Sequence, residues 1–234
     1  MSRESLAPGS PAHRHLKDSL YEQFARVGKA LASPSRLELV DLLGQAPRTV
    51  EALARETSMS MANTSQHLQV LRAAGLVEAH KDGLFVTCAV ADDVADLYLS
   101  LRRVAARRLA EVSRIARDML AEYDALEPVD GDALVARIRK GDVTVLDVRP
   151  REEFEAGHLP GALCVPLPEL KDKLAGLPKK KTVVAYCRGP YCIYALEAAR
   201  VLRKRGLNAI RLDEGVAEWR RRGLPVERSA KDTR

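Results

Sequence analysis

A change of period near the middle of the chain constrains its fold more than any other feature. Up to residue 76 the apolar residues recur at helical spacing. Leu20, Phe24, Val27 and Leu31 mark a helix over 16–32, and Ser33-Pro34 opens a second, carrying Leu37, Val40 and Leu43 and stopping at Gly44. Val50, Leu53 and Ala54 mark a third over 49–56. Met61, Leu68 and Leu71 mark a fourth over 60–74, closed by Gly75. Residues 77–80 and 84–90 then alternate around Asp82-Gly83, a two-residue hairpin signal. A long helical pattern over Asp92–Leu126 follows, with Val94, Leu97, Leu101, Val104, Val112, Ile115, Met119 and Tyr123 as a narrow stripe. Beyond Pro128 continuous apolar strands at 143–148, 183–186 and 208–212 are separated by helices at 151–156, 193–205 and 216–222. That order predicts two domains: a mainly-α winged helix-turn-helix, then an α/β domain with a parallel sheet.

The expected boundaries are a disordered tail at 1–15, a first domain at 16–126, a linker at 127–132, a second domain at 133–228 and a tail at 229–234. No apolar run approaches the roughly 20 residues of a membrane helix, so no membrane partner is expected. The first fifteen residues hold no apolar stretch and predict no secretory signal. The four cysteines, Cys88, Cys164, Cys187 and Cys192, are too few for a disulfide scaffold in 234 residues, and the default expectation is the cytoplasm. Residues 1–127 carry 16 Lys/Arg against 17 Asp/Glu, and residues 128–234 carry 22 against 15. The basic half is thus not the one patterned for DNA, and its charge suits a small anionic substrate or a solvated surface.

In the pair of helices over 49–74, the second carries Asn63, Thr64, Ser65, Gln66, His67 and Gln69 on faces expected to point outward. Short polar side chains of this kind reach base edges and phosphates, and the hairpin after them supplies a wing. The words Phe24–Leu37 (FARVGKALASPSRL), Ser65–Leu68 (SQHL) and Leu71–Val77 (LRAAGLV) resemble ArsR-type repressors over about residues 16–125. The resemblance implies a homodimer, joined through its first and last helices, on an inverted-repeat double-stranded operator that an inducer releases. Metal sensors of that family place cysteines in the first helix of the pair, or His, Asp and Glu in the last helix. Here the first position reads Val50-Glu51-Ala52-Leu53-Ala54, and the last helix has neither His nor Cys. Cys88 in the wing has only His80 as a possible companion, so no metal site is expected.

The second half carries the reactive feature. Cys187 follows one predicted strand, and Cys187-Arg188-Gly189-Pro190-Tyr191-Cys192 leads into the helix from Ile193. Backbone N–H groups at a helix N-terminus favour an anion, and Arg188 adds a cation. Both lower a thiol's pKa from about 8.5 and supply the thiolate a sulfur nucleophile needs. Gly and Pro in the loop argue against burial of Cys187. Cys192, five positions on, is placed to attack a Cys187 persulfide or sulfenate and close an intraloop disulfide; the other reading is a small residue starting the helix.

Leu146–Arg149 (LDVR), Glu153–Ala162 (EFEAGHLPGA), the Cys187 loop, and Trp219 with Gly223-Leu224-Pro225 resemble a rhodanese, or sulfurtransferase, domain over about residues 130–228. The resemblance implies that Cys187 accepts a sulfane sulfur from thiosulfate or a persulfide, with loop N–H groups (Arg188 to Cys192) around the anion. Asp147 and Arg149 would stand behind the loop. A related phosphate- or arsenate-handling subclass has an arginine six positions after its cysteine; Ile193 stands there, which disfavours that chemistry. The glycine pair of many rhodaneses is replaced by Glu214-Gly215. The leading expectation is a dimeric repressor whose rhodanese half senses or processes reactive sulfur through Cys187, without a cofactor. The alternative is a sulfurtransferase with an autoregulatory DNA-binding module.

Overall fold

The computed structural model describes residues 9–83, 85–121, 128–129, 131–178 and 181–229. Two compact units divide the chain, Met1–Val94 and Ala95–Arg234.

In the first unit, α1 (Pro11–Leu31) starts earlier than periodicity suggested, because Ser10 caps it by accepting from the His13 N–H and Pro11 suits the first turn. Helices α2 (Pro34–Gln45), α3 (Val50–Glu56) and α4 (Met61–Ala73) follow, with Thr49 and Ser60 as side-chain caps of the last two. Leu39, Val40, Leu53, Leu68 and Leu71 converge between them, whereas Met61, expected inside, is exposed. A three-stranded antiparallel sheet forms the wing in the order β1–β3–β2, from β1 (Arg48–Thr49), β2 (Glu78–Asp82) and β3 (Phe85–Ala89). The sequence patterns contain no sign of β1. Its Arg48 is buried and donates to the carbonyls of Leu42 (2.5 Å) and Ala46 (2.9 Å) and to Glu56 (2.9 Å), so one cation locks the strand to α2 and α3.

The pattern over 92–126 is two helices, α5 (Asp92–Arg108) and α6 (Ala110–Ala121), broken at Leu109; residues 122–126 lie outside the described residues. Arg107 and Arg108 end one helix and Glu111 opens the next, the charge order that favours a C-terminus followed by an N-terminus. The sequence grouped both helices with the first domain. From Ala95 they belong to the second compact unit, where Leu120 packs against its core.

That unit is built on a five-stranded parallel sheet, ordered β4–β8–β7–β5–β6. Its strands are β4 (Pro128–Val129), β5 (Val143–Asp147), β6 (Leu163–Cys164), β7 (Thr182–Tyr186) and β8 (Ala209–Leu212). Pro128 and Val129, expected in a linker, pair with Arg211 and Leu212. Between the strands run α7 (Gly131–Lys140), absent from the sequence reading, then α8 (Arg151–Ala156), α9 (Leu170–Lys173), α10 (Ile193–Lys204) and α11 (Val216–Arg221). Every residue of β5, and Val183 to Tyr186 of β7, is buried, as both faces of a covered parallel sheet require. One core, with Leu146, Val183, Ala185, Leu196 and Leu202, lies on one face, and another, with Leu134, Val184, Leu212 and Trp219, on the other. His158 orders its turn, stacking on Phe154 with ring centroids 3.7 Å apart and placing Nδ1 2.8 Å from the Phe154 carbonyl.

Among the described residues no helix is long and apolar enough to cross a membrane.

Candidate functional site

On α4 the six polar residues divide. Asn63, Gln66 and Gln69 are exposed, and Ser65 and His67 half-buried. Thr64, expected to point outward, is fully buried with its hydroxyl donating to the Ser60 carbonyl at 3.0 Å. It sits four positions before Leu68 on the same face, so it packs with the core rather than toward a ligand. Ser65 and Gln69 line a small cavity of about 200 Å³ with Arg72 and Cys88. Cys88 is buried, which pushes its thiol pKa up. It pairs with Ala79, while His80 pairs with Thr87. Neighbouring strand residues face opposite sides, so the one companion considered for Cys88 points away from it.

In the second unit, β5 and β7 end side by side, Asp147 opposite Tyr186. The chain leaves β7 at Cys187, turns through Gly189 at φ +126° and enters α10, whose N-cap is Cys192. Cys187 and Cys192 are joined by a disulfide, with Cα atoms 6.2 Å apart. Cys187 is 1% exposed, against the expectation of an open loop. The disulfide folds the loop back on itself, and α11 closes the other side. A Cβ on Gly215 would stand 2.7 Å from the Arg188 carbonyl carbon and 2.9 Å from the Cys187 oxygen, both backbone atoms. Gly215→Ala is therefore expected to destabilise this unit by about 1–3 kcal/mol through overpacking. Urea unfolding followed at Trp219, the only tryptophan, reads it; an unchanged midpoint would show that the loop yields freely.

Beneath the loop lies a buried ionic cluster. Arg149 donates to Asp147 at 2.7 Å and to the Gly157 carbonyl at 2.7 Å, with Glu153 at 3.7 Å. The Tyr186 hydroxyl donates to Asp147 at 2.5 Å and accepts from the Leu159 N–H at 3.1 Å. Arg188 reaches down to Glu153 at 2.5 Å. Asp147, Arg149, Glu153 and Tyr186 are all fully buried. Burial opposes the Arg149 charge, but the hydrogen bond and charge of Asp147, with Tyr186 and Glu153, hold its pKa above the ordinary value. Burial, reinforced by the Asp147 charge, pushes the Tyr186 hydroxyl well above its usual range. Two carboxylates thus match two guanidiniums. Arg188, read from sequence as a cation for the thiol, has its charge matched by Glu153. Within the loop, among the described residues, the N–H groups of Gly189 and Tyr191 meet no acceptor. Glu153, Tyr186 and Gly215 were not singled out as site residues in the sequence.

These features define a class, a transcriptional regulator that joins a DNA-reading winged helix-turn-helix to a rhodanese-like domain. Residues 31–80 match the helix-turn-helix domain family and residues 130–222 the rhodanese-like domain family. The chain is 45% identical to the "HTH-type transcriptional regulator Rv0324" of Mycobacterium tuberculosis, over 92% of its own length and 94% of that protein. It belongs to the helix-turn-helix transcriptional regulators that carry a C-terminal rhodanese-like domain. The chain is also 31% identical to a protein named "Sulfurtransferase" from Allochromatium vinosum over 106 residues, 42% of this chain and 92% of that one. A solved structure from Mycobacterium bovis, described as a homodimeric winged helix-turn-helix DNA-binding domain of a possible ArsR-family regulator, is 44% identical. It covers 40% of this chain and 87% of that one, with a TM-score of 0.39.

Proposed function

We propose that this regulator is a cytoplasmic, homodimeric repressor that senses sulfane sulfur through Cys187 and stores the signal as the Cys187–Cys192 disulfide. The observation that carries this reading is the bond between the two cysteines across a loop at a helix N-terminus. In the reduced protein the Cys187 thiolate takes the outer sulfur of a donor such as thiosulfate or a persulfide, and the donor leaves with the electron pair of the broken bond. The Cys192 thiolate then attacks Cys187 Sγ, the disulfide forms, and hydrosulfide leaves. The sulfane sulfur is the oxidant in this sequence and is reduced to sulfide. Unpartnered N–H groups at Gly189 and Tyr191 cradle the anionic intermediates.

Dimerisation is supported by apolar side chains left exposed on two helices, Leu16, Leu20 and Phe24 on α1 and Leu97, Leu101 and Val104 on α5. A two-fold dimer calls for an inverted repeat with half-sites about one helical turn apart. The likeness to a sulfurtransferase favours a second reading, an enzyme whose DNA module is autoregulatory. Sustained thiosulfate turnover distinguishes it from a sensor that stops after one event.

The test is operator affinity before donor, after donor and after reductant. The wild type should change at least fivefold, a coupling of about 1 kcal/mol or more, and recover on reduction. Cys187→Ser should not respond, and Cys192→Ser should load sulfur, seen by mass spectrometry, without the stable response. A full response in Cys187→Ser ends the sensor reading.

A further inference from the structure

Next to the cysteine loop, within the second unit, lies a cleft of about 490 Å³. Pro190 and Tyr191 of the loop form one wall, and Leu99 and Ala106 of α5 form apolar surface opposite. The Arg102 guanidinium lies 5.9 Å from the Tyr191 ring centroid and forms an ion pair with Glu218. Arg222 is similarly held by Glu214 at 2.6 Å. The other two lining arginines, Arg103 and Arg221, are exposed and in no ion pair among the described residues. Four guanidiniums against two carboxylates leave the lining with two unmatched positive charges.

The volume falls within the roughly 300–1,000 Å³ of organic-ligand sites, far more than thiosulfate would fill. Apolar walls and an aromatic ring suit a carbon skeleton, and Arg103 and Arg221 suit carboxylates or phosphates at its ends. The cleft also abuts the reacting loop. The Cβ direction of Gly189, two residues from Cys187, points at Glu218 Oε1 (3.0 Å) and Arg102 Nη1 (3.5 Å). We propose that this cleft binds the organic body of the sulfur donor, a low-molecular-weight persulfide bearing at least two anionic groups. The inference rests on the reading of Cys187 as a sulfur acceptor. Cys187 thiolate attacks the terminal sulfur of R–S–SH, the S–S bond breaks, R–S⁻ leaves with the electron pair, and Cys187–S–SH keeps the proton. Because Leu99, Arg102, Arg103 and Ala106 all lie on α5, that helix contacts the donor directly.

The experiment uses the full chain and two probes. S-methylglutathione, a capped thiol with two carboxylates that cannot donate sulfur, is titrated calorimetrically into the disulfide form. Glutathione persulfide and thiosulfate are compared as donors to reduced Cys187 by mass spectrometry. The double variant Arg103→Ala/Arg221→Ala should bind S-methylglutathione at least tenfold more weakly. It should load from glutathione persulfide at least tenfold more slowly, while loading from thiosulfate changes less than threefold. Arg103→Lys/Arg221→Lys should retain most of the binding. Equal binding and equal persulfide loading in wild type and double alanine variant would overturn the cleft and leave the role of Cys187 intact. Failure of every donor to load Cys187 would overturn that role, and the S-methylglutathione titration would still decide the cleft.

Discussion

Replacing Gln66 and His67 together by alanine is expected to abolish specific operator binding while leaving the protein folded. Gln66 is exposed on α4 and His67, four positions before Leu71, is half-buried; neither is one of the anchoring residues Leu68 and Leu71, which are 3% and 0% exposed. Truncating them removes hydrogen-bonding groups from α4 and leaves Leu68 and Leu71 in place. A well-placed side-chain contact to a base is worth about 1–3 kcal/mol, so losing two should weaken the specific complex by roughly 10²- to 10⁴-fold. Binding to a scrambled duplex, which depends on phosphate contacts, should change little. Fluorescence anisotropy on operator and scrambled duplexes reads both. Unchanged operator affinity would place the reading surface elsewhere on the first unit.

Asp147→Ala should produce the largest loss of stability in the second unit. Asp147 holds both Arg149 and Tyr186, and all three are fully buried. Its removal strands the Arg149 charge with the Gly157 carbonyl and a more distant Glu153. Breaking one side of a buried ion pair costs about 3–5 kcal/mol, a large part of the 5–15 kcal/mol that holds a typical domain together. Trp219 is 1% exposed in the core of this unit, and its fluorescence in urea reports the transition. Asp147→Asn keeps an acceptor for Tyr186 and should cost less.

The same cluster sets a pH dependence. The Tyr186 hydroxyl ionises at a higher pH in the folded chain than in the unfolded one. Its contribution is therefore complete below the unfolded value of about 10 and is lost as pH rises from there toward the folded value. Tyr186→Phe should flatten that alkaline loss. An identical alkaline profile in Tyr186→Phe would assign the loss to another group.

Most regular elements were legible because a helix or a strand declares itself through its own period. Two of the exceptions share one physical cause. β1 and β4 are two residues each and exist only because distant strands pair with them, Arg48 with Cys88 and Pro128 with Arg211. The Leu109 break interrupts a pattern whose apolar stripe continues across it. Thr64 looked like its polar neighbours on α4, yet its side chain turns onto the face that packs.

The site divides the same way. Residue type and order within one loop put Cys187 and Cys192 five positions apart before a helix, within reach of the disulfide that joins them, because that spacing is local. The run of polar residues on α4 was legible in the same way, with Thr64 the exception. Only the tertiary structure brings Glu153 under Arg188, thirty-five positions away, and so matches the charge the sequence assigned to the thiol. Only the packing of Gly215 against the loop backbone and the fold of the disulfide seal Cys187 from solvent. Burial and charge pairing depend on which distant segments meet, and local period and spacing carry no record of that.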